Sequence, residues 1–577
     1  MSYEDVIKAA MGQIPFDLIV LNAQLVNVFT KEVYAADIGV VGDKIAYVGP
    51  AGSERLEAKE VIDAKGKYAI PGLIDSHLHI ESSMIIPPRF AEAVLPHGTT
   101  TVAIDPHEIA NVMGKDGVRL MLESSRGLPL KVFILVPTCV PALLGVETAG
   151  ATFFAEDVEE MLKWERVIGL AEIMDYPGVI NLHERITNIV KVGIKTNVVL
   201  DGHHIMLNNR ELCAYASTGI DANHENFDFN GVLEEIRIGM YAKLRKNLFY
   251  QQDFVKRLNS ILDHQNIIFV TDDILPDELE AHGHLDDTVR TAIANGYDPV
   301  DAIQAVTIRP ARHLRLFNLG AIAPGKVADI ILLEDLKKFE IDMVIANGKV
   351  VGVKGKYVGQ APTYKVPVEA KMTVKFSKKF TPEDFMIKAP LEKGKVKVRV
   401  LDASNILINL VTEEVEVENG FVKPNGLQTI AVFERHGKSG NRSLGLIKNF
   451  IKTGAVASTV SHDSHNLICV GTNPMDLSIA ANKLLETQGG LVAVKDRQVA
   501  ALVELPVGGI MSEETVELVA KKVSNFRKVV KEMGIVDYPT SIIPIMVLAL
   551  PVAPMARMTD YGIFDVMQQK ILSLIVY

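Results

Sequence analysis

The sequence is poor in cysteine, with only Cys139, Cys213 and Cys469 among its 577 residues. These three residues lie far apart and are odd in number, so they offer neither a disulfide framework nor a thiolate zinc site. Such cysteine usage is typical of a reducing compartment. We therefore expect a cytoplasmic protein.

Concentrated positive charge is also missing. The chain has 60 Lys and Arg against 71 Asp and Glu, a formal net charge of −11, and no basic block. Nucleic acids and anionic membranes attract proteins through clustered basic side chains. The charge pattern therefore predicts no nucleic-acid partner and no membrane partner, and it favours a small-molecule substrate.

Long hydrophobic runs are absent as well. Residues 1–13 lack the apolar core of a signal peptide, so export is not expected. The most apolar stretch, 541–555, is too short to span a bilayer and is interrupted by Pro544, Pro551 and Pro554. We expect this stretch to be buried core.

What the chain does contain is an alternation of strands and helices between residues 71 and 314. Eight apolar segments are predicted as strands, each followed by a helical stretch. They are 72–77, 100–105, 131–136, 167–172, 196–201, 219–223, 240–245 and 267–271. This pattern predicts a (β/α)8 TIM-like barrel. An open doubly wound sheet is the alternative, but the Gly-rich phosphate turn of dinucleotide-binding sheets is missing.

Other units flank this region. Short alternating apolar runs with turn residues, typical of strands, occur on both sides of it. The predicted units are a composite small β domain of 1–70 and 315–362, the α/β barrel of 71–314, a connector with some strand at 363–394, and a C-terminal α/β domain at 395–577.

The C-terminal unit mixes strands and helices. Its clearest helix is predicted at 512–533, with Glu513 and Glu514 in the first turn and Gly534 as the stop. Its predicted strands are 396–401, 406–410, 456–460, 467–470 and 490–494.

Histidines and carboxylates gather at the predicted C-terminal strand ends, where barrel enzymes place their active sites. His77 and His79 are two residues apart at the end of the first strand, so they project from the same face. The residues that end or follow the other strands are Asp105, His107, Glu108, Glu172, His203, His204, His224, Asp272 and Asp273. Such a set is ligand chemistry for one or two divalent metals. Buried together, these groups cost free energy unless a cation or other partners compensate them.

The motifs that contain these residues resemble the amidohydrolase superfamily and, within it, the adenine deaminase family. The resemblance runs over nearly the whole chain. The segments that carry it are 71–82 (PGLIDSHLHIES), 105–111 (DPHEIAN), 283–287 (GHLDD), 320–329 (GAIAPGKVAD) and 454–466 (GAVASTVSHDSHN). The last segment is the most discriminating, because most amidohydrolases lack such a domain.

The resemblance implies two divalent metal ions, with manganese as the first choice and iron or zinc as alternatives. The implied ligands are His77, His79, Glu172, His203, His224 and Asp272. Glu172 would bridge the two ions, since a carboxylate can offer one oxygen to each. Asp272 would also stand next to the attacking water.

The implied reaction is hydrolytic deamination of adenine to hypoxanthine and ammonia, a step of purine salvage. A metal-activated hydroxide would attack C6 while Asp272 takes its proton and later delivers it to the amino group. Glu108 or Glu81 would protonate N1, although both could instead support a ligand histidine in its tautomer. The family also implies a homodimer.

The remaining candidates would contact the substrate or support the ligands. They are Asp105, His107, His204, His284, His462, Asp463 and His465. We expect the loop 461–466 to close over or support the barrel mouth, and an additional metal site is the alternative for it.

The loop 204–210 departs from the family pattern. After Asp201-Gly202-His203 the family usually continues with Ala-Pro-Gly-Leu, whereas this chain continues with residues 204–210 (HIMLNNR). His204 could therefore compete with His203 as a ligand, and the loop bears on the choice of substrate. The alternative functions are an amidohydrolase acting on a cyclic amide, an N-acyl substrate or another 6-aminopurine, and a non-catalytic assembly module. The second is disfavoured because every matched ligand position is filled.

Overall fold

The protein is described here from a computed structural model, which covers residues 2–53, 56–405, 407–535 and 542–576. The chain begins with a short helix and five strands. They are α1 (Tyr3–Ala10), β1 (Phe16–Val26), β2 (Val33–Val41), β3 (Lys44–Pro50), β4 (Ala58–Asp63) and β5 (Tyr68–Pro71).

The central region then alternates strands and helices. Its strands are β6 (Leu73–Leu78), β7 (Thr99–Ile104), β8 (Lys131–Pro137), β9 (Val167–Ile173), β10 (Val199–Gly202), β11 (Ala222–Asn223), β12 (Tyr241–Leu244) and β13 (Ile267–Phe269). Its helices are α2 (Pro87–Val94), α3 (His107–Met113), α4 (Lys115–Ser124), α5 (Ala155–Met161), α6 (Tyr176–Ile180), α7 (Glu184–Thr196), α8 (Asn209–Ala216), α9 (Phe229–Arg237), α10 (Gln252–Leu258), α11 (Pro276–His282), α12 (Leu285–Ala294), α13 (Pro299–Ala305) and α14 (Ile308–His313). Short 3-10 turns lie at Ile80–Ser83, Leu95–His97 and Lys246–Tyr250.

The central strands form a curled parallel sheet in two parts. Strands β6 to β10 make one five-stranded sheet in chain order, and β11 to β13 make a three-stranded one. The N–H of Asp221 donates to the carbonyl of Leu200 at 3.3 Å, next to the junction of the two parts. Strands β6 and β7 are buried along their whole length, as expected for parallel strands covered on both faces.

The two flanking β segments meet in one sheet. The chain returns after α14 in β14 (Ile330–Asp335), β15 (Glu340–Ala346), β16 (Lys349–Val353) and β17 (Lys356–Tyr357). Strand β14 pairs antiparallel with β5, so that a nine-stranded sheet contains both segments. The hairpin turn at Asn347 has a positive φ of 52°, which asparagine tolerates.

A second nine-stranded sheet forms the C-terminal region. The strands of the region are β18 (Lys393–Asp402), β19 (Asn409–Glu418), β20 (Phe421–Lys423), β21 (Gln428–Phe433), β22 (Arg442–Lys448), β23 (Ala455–Ser458), β24 (Leu467–Gly471), β25 (Gly490–Lys495), β26 (Gln498–Glu504), β27 (Ala556–Thr559), β28 (Gly562–Asp565) and β29 (Lys570–Leu572). The last three strands form a small sheet of their own. The helices are α15 (Pro474–Thr487), α16 (Val516–Glu532) and α17 (Ile543–Met546).

Several observed elements differ from the predicted ones. The predicted helix 512–533 begins only at Val516, because Ser512 is tied to the central region by hydrogen bonds with Met84 and Ile86. The connector contains 3-10 turns at Glu369–Lys371 and Pro382–Phe385, and its strand is limited to a β-bridge at Lys388 and the start of β18 at Lys393. The predicted strand 406–410 starts at a residue outside the described part, and β19 begins at Asn409.

The apolar stretch 541–555 is core, as predicted, in its described part. Ile542, Ile545 and Leu548 are buried there, whereas Ser541 lies outside the described residues. Among the described helices, none combines the length and apolarity needed to cross a membrane.

Candidate metal centre and active site

Glu172, near the end of β9, stands at the centre of the polar residues gathered at the strand ends. Its Oε1 lies 2.7 Å from Nε2 of His79 and 3.4 Å from Nε2 of His77. Its Oε2 lies 2.7 Å from Nδ1 of His203 and 3.8 Å from Nε2 of His224. The carboxylate therefore faces a different pair of histidines with each oxygen.

Asp272, just after β13, faces the first of these pairs. Its Oδ1 lies 3.4 Å from Nε2 of His77 and 3.3 Å from Nε2 of His79, while Arg245 donates to Oδ2. Asp272 has a left-handed φ of 60°, and its N–H donates to the carbonyl of His77 at 3.1 Å. This turn of the backbone brings the carboxylate back over the end of β6.

The donor set fits a divalent cation. One ligand atom from each of His77, Glu172, His224 and Asp272 can be chosen so that all four lie within 4.8 Å of one another, and all four residues are buried. Neither ring nitrogen of His77 makes a hydrogen bond of good geometry, and neither does Nδ1 of His224. Buried imidazoles without hydrogen-bond partners are costly, and a metal ion would relieve that cost.

The electrostatics of this buried group of carboxylates and histidines favours bound positive charge. Burial acts to raise the pKa of Glu172, but the charge of His79 and the hydrogen bond with His203 outweigh it and hold this pKa well below its usual value. Burial acts to lower the pKa of His77 and of His79, but nearby carboxylates raise both well above the usual value. A divalent cation would supply the positive charge that these protons otherwise bring.

Buried partners orient the first histidine pair. Nδ1 of His79 lies 2.9 Å from the carbonyl of Asp105 and can only donate to it, so Nε2 is the ring nitrogen that could bind a metal ion on the side of Glu172. Nδ1 of His77 lies 3.5 Å from Oδ2 of Asp201. Lys243 donates to the same Asp201 oxygen at 2.5 Å, and both partners are fully buried.

A second polar group adjoins the first at the start of α3. Nδ1 of His107 lies 3.0 Å from Oδ2 of Asp105, and its Nε2 lies 3.4 Å from Glu108 and 3.7 Å from Asp463. The ligand atoms of His107, Cys139 and Asp463 lie within 4.8 Å of one another. Burial raises the pKa of the Cys139 thiol to about 12, so the free thiol is neutral there.

Glu108 joins the C-terminal region to this group. His462 contacts its Oε1 and His465 contacts its Oε2. Burial acts to raise the pKa of Glu108, but the charge of His462 and the neighbouring His465 hold it well below its usual value. The segment 461–466, between β23 and β24, thus lies directly against the candidate site, and Glu108 is ionised.

Glu81 differs from Glu108 in its environment. It lies in the 3-10 turn after β6, and its Oε1 accepts the N–H of Ile109 at 3.2 Å. Its Oε2 is buried without a partner in the described structure. Burial is the largest cause that raises the pKa of Glu81 to about 7. Glu81 can therefore carry a proton near neutral pH.

Two of the sequence candidates lie apart from the Glu172 group. Nε2 of His204 is 3.2 Å from Oε1 of Glu235, whereas His203 contacts Glu172, so the geometry favours His203 over His204 as a ligand. Nδ1 of His284 lies 2.9 Å from the hydroxyl of Thr99, at the first residue of β7. His284 therefore supports the strands and does not face the Glu172 carboxylate.

Sequence reasoning missed three charged residues of this site. They are Asp201, Lys243 and Arg245, all of which contact a ligand residue or its partner. Lys243 lies between Ala242 and Leu244 in an otherwise apolar strand, and a lysine at such a position signals a buried ionic partner. Arg245 ended a predicted strand without being assigned a role.

Comparison with known proteins identifies the family to which the chain belongs. Residues 68–351 match the amidohydrolase family, and residues 405–570 match the adenine deaminase C-terminal domain. The adenine deaminase of Moorella thermoacetica is 40% identical over 99% of this chain and 98% of its own. Adenine deaminase 2 of Carboxydothermus hydrogenoformans is 38% identical over 98% of each chain.

The chain belongs to the adenine deaminase family. A crystal structure of an adenine deaminase aligns with a TM-score of 0.43 at 18% identity, and the alignment covers 58% of this chain and 98% of that chain. The amidohydrolase match spans the residues around Glu172, and the adenine deaminase C-terminal match spans the segment that contacts Glu108.

In this member of the adenine deaminase family, replacing Lys243 by methionine is expected to weaken metal binding about 10- to 100-fold. The reason is that Asp201 loses its buried cation and no longer holds the ring of His77 in place. Metal affinity is measured by competition with a chelator. Lys195→Met is the control, since that amine is exposed and 3.7 Å from Glu159. Equal affinities in the two variants would show that the Asp201–Lys243 pair does not set the ligands.

Proposed function

We propose that this protein catalyses the hydrolytic deamination of adenine to hypoxanthine and ammonia. The observation that carries the proposal is the Glu172 carboxylate placed between two histidine pairs, with Asp272 beside one of them. The relatives named above are adenine deaminases that align over nearly their whole length, including the C-terminal region. A cyclic amide, an N-acyl compound or another 6-aminopurine is less favoured as substrate for that reason.

The eight parallel strands are proposed to form one (β/α)8 barrel, the unit of residues 71–314. Two links between strand neighbours support this closure: Asp221 to Leu200 at 3.3 Å, and Asp272 to His77 at 3.1 Å. The proposed domain bounds around it are 1–70 with 315–362 for the small β domain, 363–394 for the connector and 395–577 for the C-terminal domain.

The site is proposed to hold two divalent cations. The residues that would hold them are His77, His79, Glu172, His203, His224 and Asp272. Imidazole and carboxylate ligands suit manganese, iron and zinc. Manganese is the first choice among them because of the family resemblance. When bound, such a pair lowers the pKa of a water from about 15.7 toward about 7 and so supplies hydroxide at neutral pH.

Asp272 is proposed to take the proton of the attacking water and to deliver it to the departing amino group. Its Oδ1 faces the histidine pair, while Arg245 holds Oδ2. Arg245 is itself fixed by Glu225, whose Oε1 lies 3.0 Å away. This arrangement keeps the Asp272 carboxylate ionised and in place to accept a proton.

Glu81 is proposed as the acid that protonates N1 of adenine. Both oxygens of Glu108 are engaged by His462 and His465, whereas Glu81 has a free buried oxygen. Glu108 is thus assigned to support of the site. Asp105 and His107 are assigned to the same supporting network, since Asp105 contacts both His79 and His107.

The protein is further proposed to act as a homodimer in the cytoplasm. All three cysteines are free thiols, two of them buried, as is typical of a reducing compartment.

The decisive activity test is ammonia release from adenine by manganese-loaded protein, with adenosine, a cyclic amide and an N-acyl amino sugar alongside. We expect turnover of adenine alone, abolished in Glu172→Ala and Asp272→Asn. Asp342→Asn is the control, because this carboxylate pairs with Lys67 in the flanking β sheet. Hydrolysis of an amide without turnover of adenine would refute the deaminase assignment.

Replacing Glu81 by glutamine is expected to lower kcat about 10²- to 10⁴-fold while metal content stays unchanged, because the amide cannot transfer a proton. Steady-state kinetics and metal analysis check this. Glu92→Gln, in which the lost carboxylate is paired with Arg89 away from the site, should leave kcat unchanged. A Glu81→Gln enzyme with the kcat of the unmodified protein would exclude Glu81 as the acid.

A further inference from the structure

Arg435 is a buried cation in an unusual environment. It follows β21 and is fully buried, and no carboxylate of the described residues lies within ion-pair distance of its guanidinium. Its Nε–H donates to the carbonyl of His465, and its two terminal nitrogens donate to Thr373 Oγ1 at 3.3 Å and to the carbonyl of Gly508 at 2.9 Å. A buried charge without a counter-ion is costly, so a specific placement must compensate for it.

The turn at Gly508 and Gly509 leaves space for the guanidinium of Arg435. Gly508 and Gly509 both have positive φ, at 65° and 73°. A Cβ on Gly509 would lie 2.1 Å from Nη1 of Arg435, and a Cβ on Gly508 would lie 2.3 Å from Cδ1 of Ile109. Ile109 is the residue after Glu108 in α3. The turn therefore fits Arg435 on one side and the helix of Glu108 on the other.

Arg435 holds His465, one of the two histidines that contact Glu108. His465 has a left-handed φ of 53°, which is unfavourable for a residue with a Cβ. Its Nδ1 accepts the N–H of Ser461 at 3.2 Å, so the proton lies on Nε2, which donates to Glu108. The hydrogen bond from Arg435 to the His465 carbonyl fixes the backbone in this conformation.

We propose that Arg435 is a positioning residue for the active site, acting through His465 to hold the carboxylate of Glu108 at the strand ends. The inference deepens the proposed deaminase function and rests on it. In this arrangement the C-terminal domain completes the site. Glu108, which is held in place, lies in α3, whereas Arg435 lies after β21 and His465 lies between β23 and β24.

A double-mutant cycle tests the pathway. Arg435→Met and His465→Gln are each expected to lower kcat for adenine at least 10-fold with a smaller change in KM and unchanged metal content. If Arg435 acts through His465, the double variant is no slower than the slower single variant, whereas independent roles would multiply the two losses. Arg399→Met is the control, because Arg399, in β18, makes an exposed hydrogen bond to the carbonyl of Ser573.

Lysine at position 435 keeps the charge and a donor, so Arg435→Lys should have a kcat between those of the unmodified protein and Arg435→Met. If Arg435→Met does not fold, the cycle is run with Arg435→Lys. Multiplied losses, or an Arg435 variant with the kcat of the unmodified protein, would overturn the proposal.

A crystal structure of the Arg435→Met variant separates this proposal from the deaminase assignment. The imidazole of His465 is expected to have moved away from Glu108, whatever substrate the protein uses. An imidazole still in contact with Glu108 would overturn the positioning role. Failure of the unmodified protein to turn over adenine would instead overturn the proposed function.

Discussion

The candidate site depends on one carboxylate that is shared between two pairs of imidazoles. Glu172 directs one oxygen to His77 and His79 and the other to His203 and His224. The four histidines lie in or directly after β6, β10 and β11, so the curl of the parallel sheet is what brings them together. A buried group of this kind costs free energy unless positive charge compensates it.

Support for the site extends beyond the parallel strands. Lys243 neutralises Asp201 behind His77, and Arg245 holds Asp272 in front of it. On the other side, the C-terminal segment brings His462 and His465 onto Glu108. The same two regions also meet where α16 approaches α11, through an ion pair of 2.9 Å between Arg527 and Asp277. The C-terminal domain is thus held against the central region at more than one place.

The sequence was informative where periodicity and motif chemistry act locally. All eight central strands occur near their predicted positions, although 219–223 shortens to two residues, because short strands carry little periodic signal. The spacing of His77 and His79 and the segment around Glu108 were readable for the same reason. What could not be read were the contacts made across long sequence separations. The turn of His204 toward Glu235 and the bond from Arg435 to His465 depend on packing that a linear pattern does not contain.

Anomalous diffraction from crystals loaded with manganese would locate bound ions relative to Glu172. We expect two peaks on either side of the Glu172 carboxylate, one next to His77, His79 and Asp272 and the other next to His203 and His224. A single peak that Glu172 does not touch, or peaks confined to the group of His107, Cys139 and Asp463, would contradict the shared carboxylate.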